Sequence, residues 1–210
     1  MVPKKHFIPV VKAVVAELSR DRSIRDVKNS DTLLQIGILP DRIPELVLRL
    51  FRVVRGRRFD NYLSLFQLMA ITPNSSIEDI AAQLADAGDR LSMFGITPLR
   101  DNLTMGDNPT EPWGDVEAAV HTAVAEMSRT HSLGEIRSDE TLDQLGLDEA
   151  DVANVKINVF RMMSSLTVHP KLSEFLDGIV ISGGSTIGET VANSRRALMK
   201  VKGDATDIWG

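Results

Sequence analysis

The chain repeats itself, and this limits its possible folds more than any other feature of the sequence. Ala16-Glu17-Leu18-Ser19-Arg20 returns as Ala125-Glu126-Met127-Ser128-Arg129. Thr32-Leu33-x-Gln35-x-Gly37 returns as Thr141-Leu142-x-Gln144-x-Gly146. Phe51-Arg52 returns as Phe160-Arg161, and Leu63-Ser64-x-Phe66 as Leu172-Ser173-x-Phe175. Every pair lies 109 positions apart, so no gap is needed. One inserted residue then sets Ser75-Ser76-Ile77 against Ser185-Thr186-Ile187. Solenoid units repeat every ~20–50 residues, so this period is too long for one. Each copy is expected to be a small domain with its own core. Gly88, Gly95, Pro98, Gly106, Pro109, Pro112 and Gly114 punctuate the region between them. The expected domains are 5–88 and 115–200, joined by a linker over 89–114 and followed by a tail over 201–210. Leu91, Met93, Phe94, Ile96 and Leu99 make part of the linker apolar enough to pack on the first domain.

Composition removes several classes of function. The 210 residues include no cysteine, which excludes disulfides, thiolate nucleophiles and cysteine-based metal centres. No apolar run reaches the length of a membrane span, and Lys12 and Glu17 interrupt the apolar start before a signal-peptide core can form. A soluble, cytoplasmic protein without membrane insertion is expected. The net charge is −5 and only ten residues are aromatic (seven Phe, two Trp, one Tyr), which disfavours a nucleic-acid partner. The charge is uneven. Residues 1–105 carry 15 basic and 12 acidic residues, and residues 106–210 carry 9 and 17. Oppositely charged halves can attract within one chain or head to tail between chains.

Apolar spacing predicts an all-α fold of two tandem four-helix units. Val11, Val14, Val15 and Leu18 share a helix face, as do Val120, Ala123, Val124 and Met127. A polar loop follows, pinned by Ile24 and Val27, or by Leu133 and Ile136. The Thr-Leu-x-Gln-x-Gly turn comes next, then a second helix. Its apolar stripe is Ile43, Leu46, Val47, Leu50, Phe51 and Val54, or Val152, Val155, Val159, Phe160 and Met163. Asp148, with Asp151 three residues on, reads as a helix cap, and Asp41 is the expected cap in the first copy. Short helices are expected around Tyr62–Met69 and Lys171–Asp177. The last helices open at Ser75-Ser76 and Ser185-Thr186. Residues 178–182 could form one short strand.

This order of helix, long loop, Leu-Gly-like turn, apolar helix, short helix and capped last helix resembles the acyl carrier protein fold. That family carries Leu-Gly-x-Asp-Ser-Leu before its second helix. Here the second copy reads Leu145-Gly146-Leu147-Asp148-Glu149-Ala150, and the first reads Ile36-Gly37-Ile38-Leu39-Pro40-Asp41. The resemblance implies a phosphopantetheine attachment site at the serine, where a helix N-terminus favours phosphate. Pro40 and Glu149 occupy that position, and neither has a hydroxyl. No prosthetic group or other cofactor is therefore expected. Glu149 either imitates the charge of the missing phosphate or is an ordinary first-turn acid.

Other candidate features are less specific. Arg49, Arg52, Arg55, Arg57 and Arg58 form the densest basic cluster, suited to an anion, nucleic acid or an acidic protein face, or simply to solvent. Ser182-Gly183-Gly184-Ser185 precedes a helix, the right context for an anion site, but two glycines alone are a weak signal and a loop with a helix cap is the preferred reading. His6, His121, His131 and His169 lack metal-ligand spacing and read as surface histidines. No nucleophile elbow or Walker loop is present, so no catalytic or metal residue is assigned and no enzymatic activity is expected. The expected function is a scaffold, adaptor or regulator acting through protein contact, with a carrier-recognising enzyme as one kind of partner. Carrier domains are recognised through the second helix and the loop before it. This nominates Arg42, Arg49, Arg52 and Arg55 in the first copy, and Asp148, Glu149 and Asp151 in the second. A free acyl or lipid ligand held between the helices, or an anion or nucleic acid on the arginine cluster, is the alternative. The tail ending at Trp209 could pack back or dock elsewhere.

Overall fold

A computed structural model of the chain describes residues 4–19, 21–55, 69–92, 114–164 and 171–203, apart from the side chains of residues 4, 55, 88–92, 202 and 203. These residues form an all-α structure: α1 (Phe7–Ser19), α2 (Leu33–Ile36), α3 (Ile43–Arg55), α4 (Ile77–Ser92), α5 (Asp115–Met127), α6 (Glu149–Met163), α7 (Leu172–Gly178) and α8 (Ile187–Gly203). No described helix is long and apolar enough to cross a membrane. Residues 62–68 of the expected short helix and the tail beyond 203 lie outside the described residues, as do residues 93–113 of the linker. Residues 178–182, which could have formed one short strand, do not form one. Ile179 and Ile181 turn inward while Val180 faces solvent, without a partner strand among the described residues.

The Thr-Leu-x-Gln-x-Gly string has a local explanation. The Thr32 N–H donates to Gln35 Oε1 (2.8 Å), and the Gln35 N–H donates back to Thr32 Oγ1 (3.3 Å). Thr141 and Gln144 make the same reciprocal bonds at 2.9 and 3.3 Å. This capping box satisfies two donors that a helix start otherwise leaves open. Leu33 and Leu142 are fully buried beneath it. Gly37 and Gly146 end the turn at φ 91° and 74°, in the left-handed region that glycine adopts without a Cβ penalty.

Each turn is stitched to the start of the last helix of its own repeat. The Leu33 N–H donates to the Ser75 carbonyl and the Leu142 N–H to the Ser185 carbonyl, both at 3.1 Å. Ser76 with Asp79, and Thr186 with Glu189, cap α4 and α8 by the same reciprocal bonds. The loop pins Ile24, Val27, Leu133 and Ile136 are all buried, as their spacing predicted. Asp41 does not cap the first copy. Leu39 holds the cap position, makes no side-chain bond, and is followed by Pro40, whose missing N–H is no loss at a helix start.

Separate cores do not form. The buried apolar residues of both repeats join in one continuous cluster. The cause lies in α1 and α5, which are apolar on nearly every side. Phe7, Val10, Val11, Ala13, Val14, Val15, Ala16 and Leu18 are buried in α1; Val116, Ala118, Ala119, Val120, Ala123, Val124, Ala125 and Met127 are buried in α5. A helix apolar all round must be covered all round. Its own repeat covers one side and the other repeat covers the rest. The small alanines let the two helices approach closely. Contacts between repeats are reciprocal: α1 packs on α5, α3 packs on α5, and α6 packs on α1. The loop pins join in: the Ile24 N–H donates to the Met162 carbonyl (2.8 Å), and α3 meets Leu133–Glu135. On the outer side of the second repeat Phe160 packs on Phe175, with ring centroids 5.1 Å apart.

Candidate functional site

The second helical segment of the first repeat opens at Pro40 and that of the second repeat at Glu149. In the second repeat, the Asp151 N–H donates to Asp148 Oδ1 (2.9 Å) and the Asp148 N–H donates to Asp151 Oδ2 (3.3 Å). Asp148 is thus the cap that its spacing predicted. The Asp151 N–H, and then the nearby Arg129 guanidinium, hold the Asp148 carboxyl below its ordinary range. Arg129 Nη2 lies 3.0 Å from Asp148 and 3.2 Å from Asp151. Asp151 is buried under these bonds, so it is a structural residue and not part of an open surface. Glu149 is exposed in the first turn, beside Asp148. The Leu-Gly turn before it is held from below, where Ser128 Oγ and Thr130 Oγ1 both donate to the Leu145 carbonyl, at 2.7 and 3.0 Å.

In the first repeat the same turn presents different chemistry. Leu34 and Leu39 are each 54% exposed, and Pro40 and Pro44 are exposed beside them. Positions 109 residues further on hold Asp143, Asp148, Glu149 and Ala153. Arg42 bonds Glu45 Oε2 (3.0 Å from Nε) and stays part-exposed.

Arg49 corrects the reading of the arginine cluster. Its guanidinium pairs with Glu17, with Glu45 (3.5 Å) and, across the boundary between the repeats, with Glu126 (3.6 Å). Glu17 and Glu126 are buried, and Arg161 approaches Glu17 to 3.9 Å from the other repeat. Arg49 is therefore tied into the boundary between the repeats and only part-exposed, because α3 packs on α5. Arg52 is part-buried on the same helix. The Arg55 side chain, with Arg57 and Arg58, lies outside the described residues. Single-sequence spacing missed Glu17, Glu126, Asn158 and Arg161. The available signal was an acid recurring at the same offset near the end of two otherwise apolar helices.

One further expectation changes, and the loop reading of residues 182–185 holds. His121 is buried, not on the surface; burial pushes its pKa down to about 3. Ser182-Gly183-Gly184-Ser185 is a loop and not an anion cradle. The Asp143 N–H donates to the Gly183 carbonyl (2.9 Å), and a Cβ on Gly183 would overlap the Asp143 carboxylate. That negative group repels an anion. His169 and Trp209 lie outside the described residues. The apolar stripes offered as an acyl pocket, including Leu46, Leu50, Phe51, Val155 and Val159, are buried in the shared core. Comparison of the chain with protein-family models, curated proteins and solved structures finds no match.

Proposed function

We propose that the chain is a non-enzymatic pair of carrier-like repeats that works by protein contact and carries no prosthetic arm. One observation carries this reading. The first residue of the second helical segment in each repeat, Pro40 or Glu149, is exposed and lacks the hydroxyl that phosphodiester formation requires. The partner surface is then the pair of exposed turns: Leu34, Leu39 and Pro40 on one repeat, Asp148 and Glu149 on the other. Arg42 flanks the first. A carrier-recognising enzyme that reads the start of the second helix is the kind of partner this surface suits.

Two measurements test it. Co-expression with a broad-specificity phosphopantetheinyl transferase, followed by intact mass, should leave the mass unchanged; a gain of one arm on either repeat ends the proposal. Affinity capture from native lysate should recover partners that Glu149→Lys or Leu39→Glu removes, because both positions are exposed and the fold tolerates either change. Identical capture by the wild type and both variants sinks the surface assignment.

A further inference from the structure

We propose that Arg49 makes the pairing of unlike repeats obligatory: the inner face of the first repeat fits that of the second, and neither fits a second copy of itself. The argument does not depend on the carrier reading. Glu17 and Glu126 stand 109 positions apart, near the ends of α1 and α5, and both are buried where the repeats meet. Two buried carboxylates close together need a positive group between them. The Arg49 guanidinium fills that role, contacting both.

The reciprocal packing relates the repeats by an approximate two-fold axis. A group that touches two carboxylates equivalent under that axis stands close to the axis itself. The position equivalent to Arg49 in the second repeat is Asn158, which is buried and uncharged. Arg161 approaches only from the half-exposed rim.

Three pairings follow. Two first repeats would crowd two Arg49 guanidinium groups with two Glu17 carboxylates at the axis, where the unlike pair places one guanidinium. Two second repeats would bury two Glu126 carboxylates with two Asn158 side chains, leaving only the Arg161 guanidinium groups of the rim to face them. Only the unlike pair supplies one shared cation. A buried polar residue that selects register and partner between packed helices is a known device. The chain is thus its own partner, and a second copy can exchange repeats with it only in the unlike combination.

The test uses the full chain with a site-specific protease sequence inserted between residues 101 and 102. After folding and cleavage, native mass spectrometry should show the two pieces as a one-to-one complex. Mixing cleaved protein with isotope-labelled cleaved protein should give exchanged unlike pairs and no like pairs. Arg49→Met keeps the bulk and removes the charge; it should weaken the cleaved pair at least tenfold, read by dissociation on dilution. R49N/N158R moves the guanidinium to the other repeat and should regain most of that loss. Like pairs from the wild type, pieces that separate on cleavage, or an R49M pair as tight as wild type would each overturn the proposal. If R49M abolishes the helical circular dichroism of the uncut chain, the double variant decides. Recovered helicity with unlike pairing supports the proposal, and failure to recover overturns it.

Discussion

The two turns that open the second helices share a backbone and differ in nearly everything that solvent meets. Both have a Thr–Gln capping box, a buried leucine and a left-handed glycine. The first then presents Leu34, Leu39, Pro40 and Pro44; the second presents Asp143, Asp148, Glu149 and Ala153. Residues that satisfy backbone donors or fill the core stay alike because changing them costs stability. Exposed residues are free of that cost, so their chemistry can diverge without moving the backbone. The same contrast holds between α3 and α6. Of the described side chains of α3 only Pro44 is exposed, whereas α6 keeps Glu149, Ala150, Ala153 and Asn154 exposed.

The largest effects should fall on what the turns share. Leu33→Ala and Leu142→Ala each remove a fully buried side chain, and each should cost about 2–5 kcal/mol in urea unfolding. Because both leucines lie in one core, either variant should lower a single transition. Loss of only one of two separate transitions would show that the repeats unfold independently.

Acid sensitivity should separate the repeats. His121 of the second repeat corresponds to part-exposed Lys12 of the first. The folded pKa of His121 is pushed down to about 3 from an ordinary 6.5. Above 6.5 both the folded and unfolded forms are neutral, so its contribution is fully present. As the pH falls from 6.5 towards 3, only the unfolded form takes the proton, and stability drops by up to ~1.4 kcal/mol per pH unit. His121→Leu should flatten this limb, checked by urea unfolding at pH 7 and pH 5. Parallel curves for wild type and variant would show that the imidazole takes up its proton alike in both forms.

The two glycines should differ as well. Both sit at positive φ, so Gly37→Ala and Gly146→Ala should each cost about 1–2 kcal/mol. A Cβ at Gly37 meets open space, but at Gly146 it lies 3.3 Å from Thr130 Oγ1, so the second substitution should cost more. The smallest effect concerns the caps. Asp148→Ala should lose about 1 kcal/mol, and Leu39→Asp should gain somewhat less by supplying the side-chain cap that the first repeat lacks. Thermal unfolding of both variants measures the difference.

The parts of this structure legible in the sequence are those decided over three or four residues. Thr32 with Gln35, Ser76 with Asp79, Asp148 with Asp151 and the paired glycines all act through groups that adjacent backbone brings together. The loop pins are legible for a related reason: an isolated apolar pair in a polar loop has little use except burial. Asp41 failed as a cap because Leu39, two residues earlier, already occupies the turn's first position. His121 failed because a histidine's burial depends on what packs over it.

The sequence by itself determined the helices, their caps and the period that relates them, since short-range hydrogen bonds and apolar spacing are written into neighbouring residues. Only the tertiary structure decided that the two repeats share a core and that Arg49 pairs across the boundary between them. Charge and helical spacing place an arginine on a face of its helix, but whether that face meets water or another helix depends on which apolar surfaces find each other. Here α1 and α5 each had more apolar surface than one repeat could cover, and covering it drew Arg49 between Glu17 and Glu126.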